Sequence, residues 1–305
     1  MKSHEFIRSH FRKYSFYFDI LNRYSKTYKN FLTVLIKAKK NEFPIFAVLK
    51  NNQEKKFVSQ RDLGATSAGF GDMYEFKDDV LIIKKDNLPE IKMFGAKDNG
   101  DSTTVFLHEE YQTLPVKGRT VIDIGGSIGD TAIYFALKGA KKVIALEPFL
   151  LNYELAKKNI IENKLDNKIH LLLAGCSNKN EKITISGTGL GSQSDISKSK
   201  QGNEISLMSL EEILNQFNVD SAILKMDCEG CEYHSILDSP KEVLQKFDFM
   251  FIEYHYGYIN LKEKLEQCGF EVSISPPTFF NNPDTKIPKT YVGDMYAKKI
   301  VNNSC

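Results

Sequence analysis

The sequence has few of the features that would place it outside the ordinary globular proteins. It contains no tryptophan, nine prolines and five cysteines in 305 residues. Its proline and glycine contents are too low for collagen or a low-complexity chain, and its apolar runs are far shorter than the roughly 20 residues of a membrane-spanning helix. An odd number of irregularly spaced cysteines does not indicate a disulfide framework. These absences predict a globular cytoplasmic protein with reduced thiols.

Net charge is also nearly absent, but the average hides a segregation along the chain. The formal charge is +2. Residues 1–56 carry thirteen basic and four acidic side chains, a net charge of +9, so the remaining residues carry −7. We therefore predict a basic N-terminal segment on a mildly acidic body. The segment is either a helical cap that packs on the body or on a partner subunit, or a platform for an anionic acceptor.

Residues 1–103 are predicted to form an accessory region of helices and short strands. Apolar residues recur at helical spacing over residues 3–40, which indicates one or two amphipathic helices. Two strand-like segments within residues 45–58, separated by Asn51 and Asn52, predict a β-hairpin. Further short strands are predicted at Val80–Ile83, Ile91–Phe94 and Thr104–Leu107.

Residues 104–305 are predicted to form a second, α/β domain, because strands and helices alternate from Lys117 onward. Such alternation implies a doubly wound, mostly parallel sheet whose ligands lie at the carboxyl ends of the strands. The seven strands of the sheet are predicted at residues 120–124, 142–146, 169–173, 222–226, 247–253, 271–274 and 291–297.

A glycine-rich turn follows the first of these strands, in Val121-Ile-Asp-Ile-Gly-Gly-Ser-Ile-Gly-Asp130. Glycine allows a tight turn and the close approach of a ligand to the backbone. A nicotinamide fingerprint would need glycine where Ser127 stands. The spacing resembles instead the nucleoside-binding turn of class I S-adenosylmethionine methyltransferases. That resemblance makes the cofactor-binding candidates Asp123, Gly125, Gly126, Ser127, Gly129 and Asp130.

The second strand ends in Ala145-Leu-Glu-Pro148, about 20 residues after the glycine turn. A carboxylate at that place can accept hydrogen bonds from both ribose hydroxyls of a nucleoside. Glu147 is therefore the candidate for ribose binding, and Pro148 ends the strand beside it.

A cluster of acids follows the fourth strand, in Lys225-Met-Asp-Cys-Glu-Gly-Cys-Glu232. Like charges are held this close only where a cation, a proton or a ligand offsets them. The next strand ends in Ile252-Glu-Tyr-His255, which adds Glu253 and His255 at the same edge of the sheet. Together with the glycine turn and Ala145–Pro148, this pattern resembles the FkbM-type methyltransferase family over roughly residues 104–256, and the hairpin resembles the leader of its archaeal-type members.

The resemblance implies a Rossmann-like class I methyltransferase fold that uses S-adenosyl-L-methionine to methylate a hydroxyl of a sugar, glycan, lipid or secondary metabolite. An alcohol is a poor nucleophile until its proton leaves, so a general base is expected. Asp227 is the first choice and His255 the alternative, and their neighbours make up the remaining catalytic candidates, Glu229, Glu232 and Glu253. The same acids could bind Mg²⁺, although no residue is assigned as a metal ligand.

Several alternatives remain open on sequence alone. The basic residues 1–56 could serve an RNA (tRNA) methyltransferase; against this, the Asn/Asp-Pro-Pro element is missing after the fourth strand, and Ser275–Phe279 is interpreted as a turn. A non-catalytic scaffold and a homo-oligomer are also open. The Cys228-x-x-Cys231 pair is interpreted as reduced thiols beside the site, and Gly187–Ser192 as a loop on the substrate side.

Overall fold

The computed structural model describes residues 18, 20–71, 73–85, 87–97, 102–185, 201–281 and 289–300. The chain divides into two compact units, Met1–Glu90 and Ile91–Cys305. The division falls earlier than the boundary between residues 103 and 104 that the sequence suggests. Within the described residues, no helix is long and apolar enough to cross a membrane.

The first unit is a helical and hairpin structure around an aromatic core. Its helices are α1 (residues 20–27), α2 (Phe31–Lys39) and α3 (Gln60–Ala65), followed by a π-helical turn at Thr66–Phe70. Its strands are β1 (Ile45–Val48), β2 (Glu54–Phe57), β3 (Tyr74–Lys77) and β4 (Val80–Ile83). Tyr24 and Tyr28 lie one helical turn apart, so both rings face the same core, where Tyr28 meets Phe57 edge to face.

Two predictions for the first unit are confirmed where the structure describes it. The strands β1 and β2 form the expected antiparallel hairpin, with Ile45 opposite Phe57 and Val48 opposite Glu54. Asn52 adopts a left-handed backbone conformation in the connecting turn, which asparagine tolerates better than most residues. Helices occupy most of residues 20–39, whereas the predicted helical pattern before residue 18 lies outside the described residues.

The second unit contains the predicted doubly wound sheet. Its helices are α4 (Asp130–Leu137), α5 (Leu150–Glu162), α6 (Leu210–Gln216), α7 (Cys231–Leu237), α8 (Lys241–Leu244) and α9 (Ile259–Gln267). Its strands are β5 (Ile91–Phe94), β6 (Thr120–Ile124), β7 (Lys142–Leu146), β8 (Ile169–Leu172), β9 (Ala174–Cys176), β10 (Glu181–Ile185), β11 (Asn203–Met208), β12 (Ala222–Met226), β13 (Phe247–Tyr254), β14 (Phe270–Ile274), β15 (Thr278–Asn281) and β16 (Lys289–Lys299).

Seven strands of the main sheet follow the order β14-β16-β13-β12-β6-β7-β8. Neighbouring strands from β13 to β8 run parallel, while β16 runs antiparallel to both β13 and β14. The chain proceeds outward from β6 in one direction and from β12 in the other. The switch point therefore lies between β6 and β12, where ligands bind in such sheets. Both strands are buried almost throughout, which explains their nearly unbroken apolar sequences.

One predicted strand is wrong. Residues Thr104–His108 form a π-helical turn rather than a strand, and Val105, Phe106 and Leu107 are all buried in it. The ring of Phe106 packs edge to face against Tyr134 of α4, with 6.0 Å between centroids. A short apolar run bounded by polar residues fits a strand and a buried helical turn equally well, and packing on α4 decides between them here.

Ser209 caps α6, because its hydroxyl accepts a hydrogen bond from the backbone N–H of Glu212. The turn at Ser275–Phe279 is shorter than predicted, since Thr278 already begins β15, which pairs with β16. The Gly187–Ser192 segment, interpreted from its sequence as a loop on the substrate side, lies outside the described residues.

Candidate active site

The glycine turn between β6 and α4 is shaped by close backbone contacts. Gly125 has φ +79°, and a Cβ atom there would lie 1.8 Å from the carbonyl oxygen of Asp227. Gly129 has φ +86°, and a Cβ there would lie 3.2 Å from Ala156 of α5. Only glycine combines this conformation with these contacts. Gly126 needs no such freedom, because its contacts are ordinary, and Ser127 adopts a left-handed conformation beside it.

Glu147 connects the end of β7 to this turn. Its carboxylate accepts hydrogen bonds from the backbone N–H groups of Ser127 and Phe149, both at 2.9 Å. Burial raises the pKa of Glu147 to about 7, against the opposing effect of these hydrogen bonds. Pro148 follows it and is also buried. The carboxylate therefore stands at the carboxyl end of its strand beside the glycine turn, as the sequence predicts.

Lys225 is a functional candidate that the sequence analysis missed. Its ammonium group is buried, donates to the carbonyl oxygen of Gly125 at 2.8 Å and lies 3.3 Å from Oδ1 of Asp123. Burial lowers the pKa of Lys225, but the negative charge of Asp123 outweighs it and the pKa is raised overall. A charged residue inside an otherwise apolar strand was the available signal.

The two aspartates of the turn point into the protein. Asp123 is fully buried, and its Oδ2 accepts a hydrogen bond from the Thr131 hydroxyl at 2.5 Å. Asp130, in the first turn of α4, accepts from the Ser102 hydroxyl at 3.1 Å and from the backbone N–H of Thr131. Both aspartates therefore brace the turn, and direct contact of either with a cofactor stays a prediction.

The five predicted catalytic residues come together around His255, at the carboxyl ends of β12 and β13. Nδ1 of His255 lies 2.9 Å from Oε1 of the buried Glu232. Nε2 of the same ring faces three partly exposed carboxylates, with Glu229 at 3.4 Å and both Asp227 and Glu253 at 3.9 Å. One imidazole thus lies among four acids.

The electrostatics of this cluster favour a protonated histidine. Burial lowers the pKa of His255, but the hydrogen bond and charge of Glu232, together with the charges of Glu229 and Asp227, raise it to about 9. Burial and the negative charge of Asp227 raise the pKa of Glu253 to about 8. Near neutral pH His255 is therefore a cation that donates hydrogen bonds, which makes it a poor proton acceptor.

A further acid, Asp294, belongs to the same cluster and was not predicted. It lies opposite Glu253 in the antiparallel pairing of β16 with β13. Burial, together with the charge of Asp227, raises its pKa. It was missed because nothing in the local sequence of the last strand reveals which neighbour it pairs with.

The acidic cluster also offers donor atoms to a cation. One atom each of Asp227, Glu229 and His255 lie within 4.8 Å of one another. Carboxylate oxygens suit Mg²⁺ or Ca²⁺ and imidazole suits transition metals, so the mixed set has no single preferred ion.

The interpretation of Cys228 and Cys231 as reduced thiols is corrected by the structure, in which they form a disulfide. The turn from β12 into α7 brings their Cα atoms to 5.5 Å, well within the range of disulfides. The loop turns sharply because Glu229 and Gly230 both have positive φ. Spacing alone does not reveal this geometry. Cys176 and Cys268 are buried free thiols, as expected.

The strand order, the glycine cradle at the switch point and the carboxylate at the end of β7 fit S-adenosylmethionine. Gly125 and Gly129 let the turn pack closely against Asp227 and Ala156, and ribose binding by Glu147 stays a prediction. A sheet with its last strand inserted antiparallel between β13 and β14 is that of the class I methyltransferases. Residues 91–305 therefore have the fold of the S-adenosylmethionine-dependent methyltransferases.

Residues 123–272 match the family model of the methyltransferase FkbM domain. These residues therefore form an FkbM methyltransferase domain, as the motifs predict. It is also 31% identical over 147 residues to the uncharacterized protein 158B of Sulfolobus islandicus rod-shaped virus 1. That match covers 48% of this chain and 66% of the viral protein, slightly less than two thirds of its length.

Two solved structures are among those similar in fold. TYW2 of M. jannaschii, in complex with AdoMet, has a TM-score of 0.38 and 18% identity, covering 74% of this chain and 89% of that one. The precorrin-6y C5,15-methyltransferase of Geobacter metallireducens GS-15 has a TM-score of 0.35 and 13% identity, covering 60% and 82%.

Proposed function

We propose that the protein transfers the methyl group of S-adenosylmethionine to a hydroxyl oxygen of a sugar, glycan, lipid or secondary metabolite. The observation that carries this proposal is the cluster of acids beside the glycine turn. Asp227 follows β12 directly, and its backbone packs against Gly125 of the cofactor turn. A hydroxyl held there would lie beside both the cofactor and a proton acceptor.

In this proposal Asp227 is the general base. Its side chain is about one-third exposed, which leaves it open to an acceptor. His255, protonated through its contact with Glu232, would donate a hydrogen bond toward the acceptor oxygen or the neighbouring carboxylates. The methyl group is already activated by the sulfonium charge, so the chain's main tasks are to align the acceptor and to accept its proton.

The experiment combines labelled cofactor with host extract fractionated into lipid, glycan, RNA and small metabolites. We expect label in a hydroxyl-bearing fraction, in a bond that is stable to mild base as an ether is. Asp227→Asn should lower the rate by about 10²–10⁴-fold while cofactor binding stays normal. The matched control is Asp220→Asn, a fully exposed aspartate remote from the site, which should leave the rate unchanged.

Adding a chelator distinguishes a general base at Asp227 from a cation site formed by the same residues. If Asp227 acts as a base, a chelator should leave methyl transfer unchanged. Loss of activity on chelation, restored by one divalent ion, would instead make Asp227, Glu229 and His255 ligands of a catalytic cation.

A further inference from the structure

Large apolar side chains are exposed on the first unit where α2 begins beside β1. Leu32 and Ile36 are 61% and 57% exposed. They lie four residues apart on α2, so they share one face of the helix. The opposite face of the helix packs on the core, where Val34 and Ala38 are buried.

Basic residues continue the same helical stripe. Lys39 and Lys40 follow Ile36 by three and four residues, and both are exposed. Lys40 lies 3.8 Å from Glu42, an exposed pair that solvent screens. The whole segment 1–56 has a net charge of +9. We call Leu32, Ile36, Lys39 and Lys40 the basic apolar face.

We propose that the basic apolar face binds the surface of an anionic lipid bilayer. Its aliphatic side chains would insert among the acyl chains and so be removed from water. Its lysines would contact the negatively charged headgroups. Each basic residue near such a surface raises the affinity of the protein for the bilayer roughly fivefold. The nine residues of α2 span about 14 Å, too short to cross the hydrocarbon core, so the helix would lie in the plane of the surface.

A nucleic-acid surface suits this face less well. Single-stranded RNA is held by cations together with aromatic rings on which bases stack. Leu32 and Ile36 offer no such stacking, and exposing them to a phosphate backbone would gain nothing. The exposed aliphatic side chains of the stripe therefore favour a lipid surface. Its positive charge alone would attract a lipid surface and a nucleic acid equally.

The test is co-sedimentation of the full-length protein with vesicles. We expect binding to mixed phosphatidylglycerol and phosphatidylcholine vesicles at low salt, at least tenfold tighter than to phosphatidylcholine alone. The double variant Leu32→Ser and Ile36→Ser should weaken binding at least tenfold. Ile161→Ser is the matched control, because Ile161 is 55% exposed on α5 of the other unit. Unchanged thermal unfolding would show that each variant is folded.

Four outcomes would overturn the proposal. Equal binding to neutral and anionic vesicles would remove the role of charge, and equal binding by the double variant and the control would remove the role of the face. If single-stranded RNA binds the protein and vesicles do not, the partner is a nucleic acid. If the double variant converts a dimer to a monomer and no vesicle binding occurs, the face joins two copies of this chain. None of these measurements involves methyl transfer, so they stand apart from the proposed function.

Discussion

At the scale of single residues, Glu232 determines the protonation of His255. Its buried carboxylate accepts hydrogen bonds from Nδ1 and from the backbone N–H of His255, at 2.9 and 3.1 Å. Its other oxygen accepts from the backbone N–H of Gly230. Its hydrogen bond and its charge are the largest of the effects that raise the pKa of His255. The charge state of the whole cluster therefore depends on a residue that does not face the acceptor.

Glu232→Gln should lower the pKa of His255 from about 9 toward its ordinary value near 6.5. Because the folded pKa is raised, protonated His255 stabilises the native protein fully below pH 6.5, and this contribution is lost as the pH rises through 9. It amounts to about 3 kcal/mol. Titration of the imidazole C–H signals by NMR measures the shift, with the exposed Glu271→Gln as control. An unchanged His255 pKa in the variant would contradict this account.

Gly125 is a second position where one residue decides the site. Gly125→Ala would place its Cβ 1.8 Å from the carbonyl oxygen of Asp227, so the backbone must move. Gly118→Ala is the matched control, since Gly118 also has positive φ but no atom within 4 Å of the place that a Cβ would occupy. We expect the control to lose about 1 kcal/mol of unfolding free energy, and Gly125→Ala to lose more than about 3 kcal/mol.

Binding of S-adenosylmethionine, measured by calorimetry, should fall at least a hundredfold in Gly125→Ala and stay unchanged in Gly118→Ala. If the two variants lose the same stability and the same cofactor affinity, the positive φ of Gly125 matters and its close approach to Asp227 does not.

At the scale of elements, α5 supplies hydrogen bonds that a neighbouring strand would otherwise provide. Asn159 accepts from the backbone N–H of Phe94 at 2.7 Å and donates to its carbonyl oxygen at 3.1 Å. One turn later, Asn163 makes the same pair of bonds with Lys92, at 3.0 and 2.7 Å. Lys92 and Phe94 are two residues apart, so their backbone groups lie on one edge of β5. The side-chain amides of Asn159 in α5 and of Asn163 just after it thus make the hydrogen bonds that the backbone of a paired strand would make.

Asn159→Leu should therefore destabilise the protein by about 2–4 kcal/mol. It leaves the backbone groups of Phe94 without these partners and also removes the bond from Asn159 to the carbonyl oxygen of Ile128. Asn167→Leu, at an exposed position, should change stability by less than about 0.5 kcal/mol. Chemical denaturation measures both. A cost for Asn159→Leu no larger than for the control would mean that these bonds contribute nothing net.

The elements also show how far sequence reasoning reaches. The strands of the main sheet were predictable because their apolar residues are nearly continuous and are punctuated by glycine and charge. The turn at Thr104–His108 was not, because its packing on α4 comes from residues far along the chain. Likewise, Asp227, Glu229 and Glu232 lie in one local motif, whereas Asp294 joins them only through the pairing of β16 with β13. Lys225 was visible in the sequence, but its contact with Gly125 was not.

At the scale of the whole molecule, the proposed cofactor and acceptor sites lie in one unit and the basic apolar face in the other. Every cofactor candidate from Asp123 to Pro148 belongs to residues 91–305. A ligand stabilises only the part of a protein that binds it, by an amount that grows with the logarithm of its concentration. The basic segment 1–56 lies within the first unit, so the excess positive charge and the proposed site belong to different units.

Scanning calorimetry of the full chain tests this division. If the two units unfold separately, S-adenosylmethionine at about 100 times its Kd should stabilise only the unit of residues 91–305, by about 2.7 kcal/mol. Anionic vesicles should instead shift only the transition of residues 1–90. A Gly125→Ala chain is the control for assigning the transitions, because it should lose the cofactor effect and lower only the transition of residues 91–305. A single transition raised by both additions would show that the two units unfold as one.

The asparagine pair of α5 has a consequence for the behaviour of the protein in a crowded solution. A strand edge with open N–H and C=O groups invites another chain to add a strand, which is a route to aggregation. The side-chain amides of Asn159 and Asn163 occupy these groups on one edge of β5 without offering a new edge of their own. These amides therefore end the β-type hydrogen bonding at this edge. A strand of another molecule would find the backbone groups of Lys92 and Phe94 already bonded.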